Sequence, residues 1–231
     1  MKKTSPLNDN DLTSLNKEQI KDLDIDELTD LFMEKINDQN LMLIEGLEFL
    51  MEEDFKQFEQ NLNNVIQTTP ELQIKKTFES KIWKKRSAFT KADRLTIFSR
   101  INEIKNKGEH MANKLLLYRT ILPDEKFKLR IMGILKSLKM ISNGLTDAVK
   151  SIGPDLREAH DMCERVKEER RKMRDEEWAI LKRLYNYSMD YISRTFIYLK
   201  EMIEDIMMMA DYIKNFAEYI QFLATKYLIF E

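Results

Sequence analysis

The chain has 231 residues and a mass of 27.7 kDa, enough for one or two domains with a sizeable core. Five glycines and four prolines are too few for a β-sandwich or a glycine-looped nucleotide fold. With 43% hydrophobic and 34% charged residues the chain reads as folded and amphipathic, and a net charge of -2 gives no bulk attraction to nucleic acid. No apolar run approaches the roughly 20 residues of a membrane span. Met1 to Asn10 has two lysines and no apolar stretch, so no secretory leader is expected. The single Cys163 cannot form an internal disulfide, which fits a reducing cytosol.

Residues 1–35 read as a polar, partly ordered N-terminal segment, with a short helix around Lys17–Asp22. From there the punctuation is helical. Pro70, Pro123 and Pro154 each mark a first helical turn, with acidic residues just after them that suit the helix dipole. Gly153 can take φ > 0 and end the helix before it. Thr90 with Asp93 is a variant capping box. Between these marks the apolar residues recur every three or four positions. One stripe is Ile97, Ile101, Ile104, Gly108, Met111, Leu115 and Tyr118; others start at Phe127 and Phe196. A looser one is Leu43, Leu47, Met51, Phe55, Phe58, Leu62 and Val65. The prediction is six helices, at about 36–68, 71–87, 91–120, 124–152, 155–187 and 190–229. Helices of about 30 residues are about 45 Å long, so the all-α bundle should be elongated.

The chain also repeats itself. Shifted by about 102 positions, Ile101-Asn-Glu-Ile104 falls on Ile203-Glu-Asp-Ile206, Gly108-Glu109 on Ala210-Asp211, and Asn113 on Asn215. This predicts a tandem of two three-helix units, 36–120 and 123–229, within one bundle spanning 36–231. One feature resists: the second predicted helix is much shorter than the fifth. In both copies a small residue on the seam is followed by an acid at its flank and, one turn on, an Asn. Duplicated carboxylates on facing helices are how bundles build metal sites.

These segments carry a resemblance. Gly108-Glu109-His110-Met-Ala-Asn113, Ala210-Asp211-Tyr212-Ile-Lys-Asn215 and the lead-in Phe89-Thr-Lys-Ala-Asp-Arg94 resemble the PhoU-like family of phosphate-transport regulators, in the branch associated with inorganic phosphate transporters. The resemblance implies two three-helix repeats and iron or zinc held through Glu109, Asp211, Asn113 and Asn215. It implies a non-enzymatic, cytosolic regulator at the inner face of the membrane, docking on a membrane inorganic phosphate transporter through helix faces. The sequence departs from the family where it matters for metal. The family's first motif acid falls on Lys105 in one copy and Met207 in the other, halving the oxygen ligands. Two other readings stay open: a metal-binding bundle with a storage or hydrolytic role, and a structural helical adaptor that forms a homodimer through its third and sixth helices.

Other chemistry is thin. His160, Glu164 and Glu168 share a helical face interleaved with Arg165, Lys167 and Arg171, which reads as an ion-paired surface. Cys163 reads as a buried thiol without a catalytic partner. Met207–Met209 read as core and seam. Charge is uneven: residues 71–94 hold eight bases against three acids, while 1–70 are acidic. Within that run Lys81, Trp83, Lys84, Lys85 and Arg86 are the candidate contact for a partner or for peripheral membrane association, with charge balance inside the bundle as the alternative.

Overall fold

The computed structural model describes residues 17–67, 71–83, 89–118, 120, 122–187 and 193–228. They form a short helix α1 (Lys17–Asp22) and seven longer ones: α2 (Ile25–Met51), α3 (Phe55–Gln67), α4 (Glu71–Ile82), α5 (Lys91–Leu115), α6 (Glu125–Ser151), α7 (Leu156–Asn186) and α8 (Arg194–Leu228). No strand occurs among the described residues. The last four helices fall close to their predicted spans, though α5 stops at Leu115 and leaves Tyr118 outside it and α8 begins at Arg194, not near 190; α1 is where the sequence suggested.

The first predicted helix is corrected at both ends. It begins at Ile25, not near 36, and residues 28–36 include fully buried Leu28, Phe32, Met33 and Ile36. Its start is a complete capping box. Asp24 accepts from the Asp26 and Glu27 N–H groups at 2.8 and 3.0 Å, and Glu27 accepts from the Asp24 N–H at 2.6 Å. It ends at Met51, where the chain turns through Glu53 in the left-handed region (φ 63°). The turn is closed by the Asp54 N–H donating to the Phe49 carbonyl at 2.9 Å, and Asp54 then accepts from the Gln57 N–H at 3.1 Å to start α3.

The starts of the later helices shift by one position. Asp124 and Asp155 are the N-caps of α6 and α7, so Pro123 and Pro154 stand just outside the helices and not in their first turns. No glycine among the described residues has positive φ, so Gly153 does not end α6 in the left-handed form. Thr90 accepts from the Asp93 N–H at 3.1 Å as expected. The Asp93 carboxylate does not return to the Thr90 N–H, which bonds Tyr227 Oη at 3.1 Å instead.

With these boundaries the two copies match. Shifted back by 102, α6 lies on α2, α8 on α5, and α7 on α3 and α4 taken together. In sequence Pro70 falls between those two helices, outside the described residues, whereas α7 contains no proline and runs unbroken. The second helix looked short only because α3 reads as part of the first. Packing follows the copies: α2 contacts α3, α4, α5 and α6, while α8 contacts α5, α6 and α7. In copy one, Phe98 stacks between Phe32 and Phe78 (centroids 4.4 and 4.0 Å), joining α2, α4 and α5.

The copies meet through antiparallel α2 and α6. Asn40 Nδ2 donates to Ser142 Oγ at 3.2 Å, and these residues are 102 apart. Ser142 Oγ donates to Asn37 Oδ1 at 2.7 Å, and Asn37 Nδ2 to Asn143 Oδ1 at 2.9 Å. Residues that contact their own equivalents mark a twofold relation. Gly108 belongs to the same centre. A Cβ there would lie 3.4 Å from Met209 Cε and 3.6 Å from Asn40 Oδ1, ordinary contact distances, so α5 meets side chains of both α8 and α2 at this glycine. The stripes of α5 and α8 are buried inside the chain, Ile97, Ile101, Ile203 and Ile213 among them.

Gly133 is different: it is exposed in mid-α6, and a Cβ at this position would meet nothing within 4 Å. Gly133→Ala is expected to stabilise the protein by about 0.5–1 kcal/mol, because alanine loses less backbone entropy in a helix. Urea midpoints of variant and parent measure it.

Candidate functional site

The motif acids sit on α5 and α8 beside the Gly108 seam, and each is held by a cation. Glu109 pairs with Lys105 Nζ at 2.5 Å, one turn back on α5. Asn113 donates to the Glu109 backbone carbonyl at 2.8 Å, closing its own helix. Asp211 accepts from Arg170 Nε of α7 at 2.9 Å, and Arg170 is almost wholly buried. Glu177 stands 3.7 Å from the same guanidinium, and its burial raises its carboxyl above the usual range. Asn215 lies 3.5 Å from Lys214 Nζ. Glu109 and Asp211 are thus drawn to separate cations on their own sides of the seam.

A second charged cluster lies deeper, and the sequence pattern does not reveal it. Asp205 of α8 accepts from Lys107 Nζ at 2.6 Å and from Lys114 Nζ at 2.9 Å, both on α5. Lys107 and Asp205 are each 8% exposed in their side chains. Burial pushes the Asp205 carboxyl up, but the two lysines outweigh it and leave it below the ordinary carboxylate range. Glu201 completes the row at 3.1 Å from Lys114. The apolar stripe of α5 marks only its most buried face, and Lys107 sits beside it next to Gly108.

The lead-in motif builds a third cluster. Asp93, at the start of α5, accepts from Tyr227 Oη at 2.5 Å, Lys226 Nζ at 2.9 Å and Thr90 Oγ1 at 2.7 Å. Burial opposes its ionisation, yet these donors bring its pKa down to about 2. Arg94 pairs with Asp26 and lies over the Phe89 ring at 5.0 Å. The motif therefore ties the first turn of α5 to the end of α8 and the start of α2.

The basic run is partly structural. Lys81 Nζ donates to the Lys21 carbonyl at 2.5 Å and to the Leu23 carbonyl, closing the end of α1. Trp83 is 68% exposed and carries Lys91 Nζ 5.2 Å from its ring centroid. Lys84, Lys85 and Arg86 lie outside the described residues. Elsewhere, His160 Nε2 lies 3.0 Å from Gln221 Nε2, and Glu164 pairs with Lys167 at 2.9 Å, as an ion-paired face should. Cys163 is fully buried, and burial pushes its thiol up to about 12, which opposes thiolate formation. Met207 and Met209 are core, whereas Met208 is 45% exposed.

No family model and no curated protein matches the sequence. Solved structures do match the fold. A structure from Shewanella oneidensis MR-1, described as a PhoU-like phosphate regulatory protein, aligns with a TM-score of 0.71 at 12% identity, over 87% of this chain and 99% of that one. The chain has the PhoU-like fold. A second PhoU-like protein from the same organism gives a TM-score of 0.70, again at 12% identity, over 88% and 98% of the two chains.

The metal that the PhoU-like resemblance implies can be tested against the donors. A multinuclear iron or zinc site needs several carboxylates converging without a competing cation. Here Lys105 occupies the first motif position and bonds Glu109, Met207 offers no oxygen, and a buried guanidinium bonds Asp211. No group of three or more His, Cys, Asp or Glu that could hold a metal gathers among the described residues. Glu109, Asp211, Asn113 and Asn215 do not fit an iron or zinc cluster.

Proposed function

We propose that this chain is a non-enzymatic regulator of inorganic phosphate transport that docks on a membrane phosphate transporter. The observation that carries the reading is the likeness of the whole bundle, both copies included, to PhoU-like phosphate regulatory proteins. No helix among the described residues is long and apolar enough to cross a membrane. In this reading the contact is made by a helix face at the membrane's inner side. Trp83 is the best placed anchor. It is exposed, it follows basic α4, and Lys91 over its ring gives it the aromatic-cation character common in interface hot spots. The charge carried by Lys81 and by Lys84, Lys85 and Arg86 would guide it toward an acidic surface.

The experiment is recovery of the full chain with its partners from membranes, with phosphate uptake measured in a deletion strain. Trp83→Ala is expected to leave stability within about 0.5 kcal/mol of the parent and to cut transporter recovery about tenfold or more. Failure to recover any phosphate transporter, with uptake unchanged by deletion, rejects the proposal.

A further inference from the structure

One end of the bundle contains a cavity that the regulatory reading does not use. It is a half-open pocket between the end of α5 and the start of α8, with room for about 340 Å³, within the size range of small-molecule sites. Its apolar wall is Leu115, Leu117, Tyr118, Ile197, Tyr198 and Met202. Tyr198 is tied back by donating its hydroxyl to the Leu115 carbonyl at 3.0 Å, and Tyr118 meets it edge-to-face at 5.7 Å. The two rings therefore form a fixed apolar corner. Leu117 and Ile197 are 82% and 46% exposed, so the apolar wall is open to solvent on that side.

The charged lining selects the ligand's sign. Asp205 has both oxygens engaged by Lys107 and Lys114, and Lys114 also holds Glu201. Those four groups cancel. Arg194, in the first turn of α8, is exposed and has no ion-pair partner among the described residues. Lys107 stands behind the wall, so the lining itself is balanced, with Lys114 and Arg194 against Glu201 and Asp205; Arg194 is the lining charge left outside the network, a planar donor suited to a carboxylate. A cation finds no free carboxylate oxygen on Asp205. Inorganic phosphate has no apolar body to cover the walls.

We infer that this cavity is a binding site for a small organic monocarboxylate with an acyl or aryl body, its carboxylate on Arg194 and its apolar part against Tyr118, Tyr198 and Met202. The site is independent of transporter docking, which was placed at Trp83.

The test is calorimetric titration of the full chain with sodium octanoate, 3-phenylpropionate, octanamide and inorganic phosphate. Saturable binding of the two carboxylates is expected, with octanamide about tenfold weaker because it lacks the charge. Arg194→Ala should weaken octanoate about tenfold and leave octanamide unchanged. Ile197→Trp fills the cavity and should abolish binding of both, with circular dichroism showing the helices retained. Absence of saturable carboxylate binding overturns the inference. So does octanoate affinity indifferent to both substitutions, or phosphate binding at Arg194 as tightly as octanoate.

Discussion

Asp30→Asn is expected to stabilise the protein at pH 8 by up to about 4 kcal/mol, and progressively less as the pH falls toward 4. Asp30 lies on α2, one turn before Glu34, where α2 packs on α6. Burial raises its pKa, the Glu34 carboxylate adds to the rise, and Lys150 only partly opposes them; the result is about 7. Lys150 is itself engaged, bonding Glu34 Oε1 at 2.6 Å, while Glu34 Oε2 is buried without a hydrogen bond. The sign follows from proton counts. Between the ordinary value of 3.8 and about 7 the folded state keeps a proton that the unfolded chain releases. Stability therefore falls as pH rises through that window and is level above it. Asparagine removes the ionisation, so variant and parent converge in acid and separate at neutral pH. Urea unfolding of both proteins at pH 5, 6, 7 and 8 measures this. A difference that does not change with pH would show that Asp30 is not the group responsible.

Asp205→Asn is expected to cost about 3 kcal/mol or more at pH 7, because it leaves Lys107 charged, buried and without a partner. Removing both charges is a milder change. The double variant Lys107→Met/Asp205→Leu should recover most of the loss, since an ion pair of this kind can be replaced by well-packed apolar groups at little cost. Lys114 keeps Glu201 in that variant. Asp205 is held below the ordinary carboxylate range, so its contribution is complete above the unfolded pKa and disappears as acid protonates it in the folded state. The gap between parent and Asp205→Asn should accordingly narrow at low pH. Denaturant melts of the single and double variants decide the matter; equal losses in both would mean that packing, not charge, governs the site.

The stripes beginning at Ile97, Phe127 and Phe196 were legible because each continues without interruption along a helix that packs on several neighbours. The break at Glu52–Asp54 was not legible, for two reasons. The turn uses neither Gly nor Pro, since Glu53 itself takes the left-handed conformation. The apolar series also passes through it in phase: Met51 and Phe55 are four apart, as they would be in a continuous helix. The 102-residue period was legible from Gly108 and Ala210 with their following acids, and it contained the correction to the α3 boundary. The motif acids could be located in sequence, but their partners could not. Arg170 reaches Asp211 from another helix, and Lys107 reaches Asp205 across a contact between copies. Cross-helix pairs leave no local spacing to read.

The bond between Asn40 and Ser142 has a consequence for the symmetry. On a twofold axis each side chain faces its own counterpart, so two identical subunits could set only like against like there. An Asn facing a Ser is a pairing closed to two identical subunits and open to a single continuous chain, whose halves can carry different side chains on the two sides of the axis.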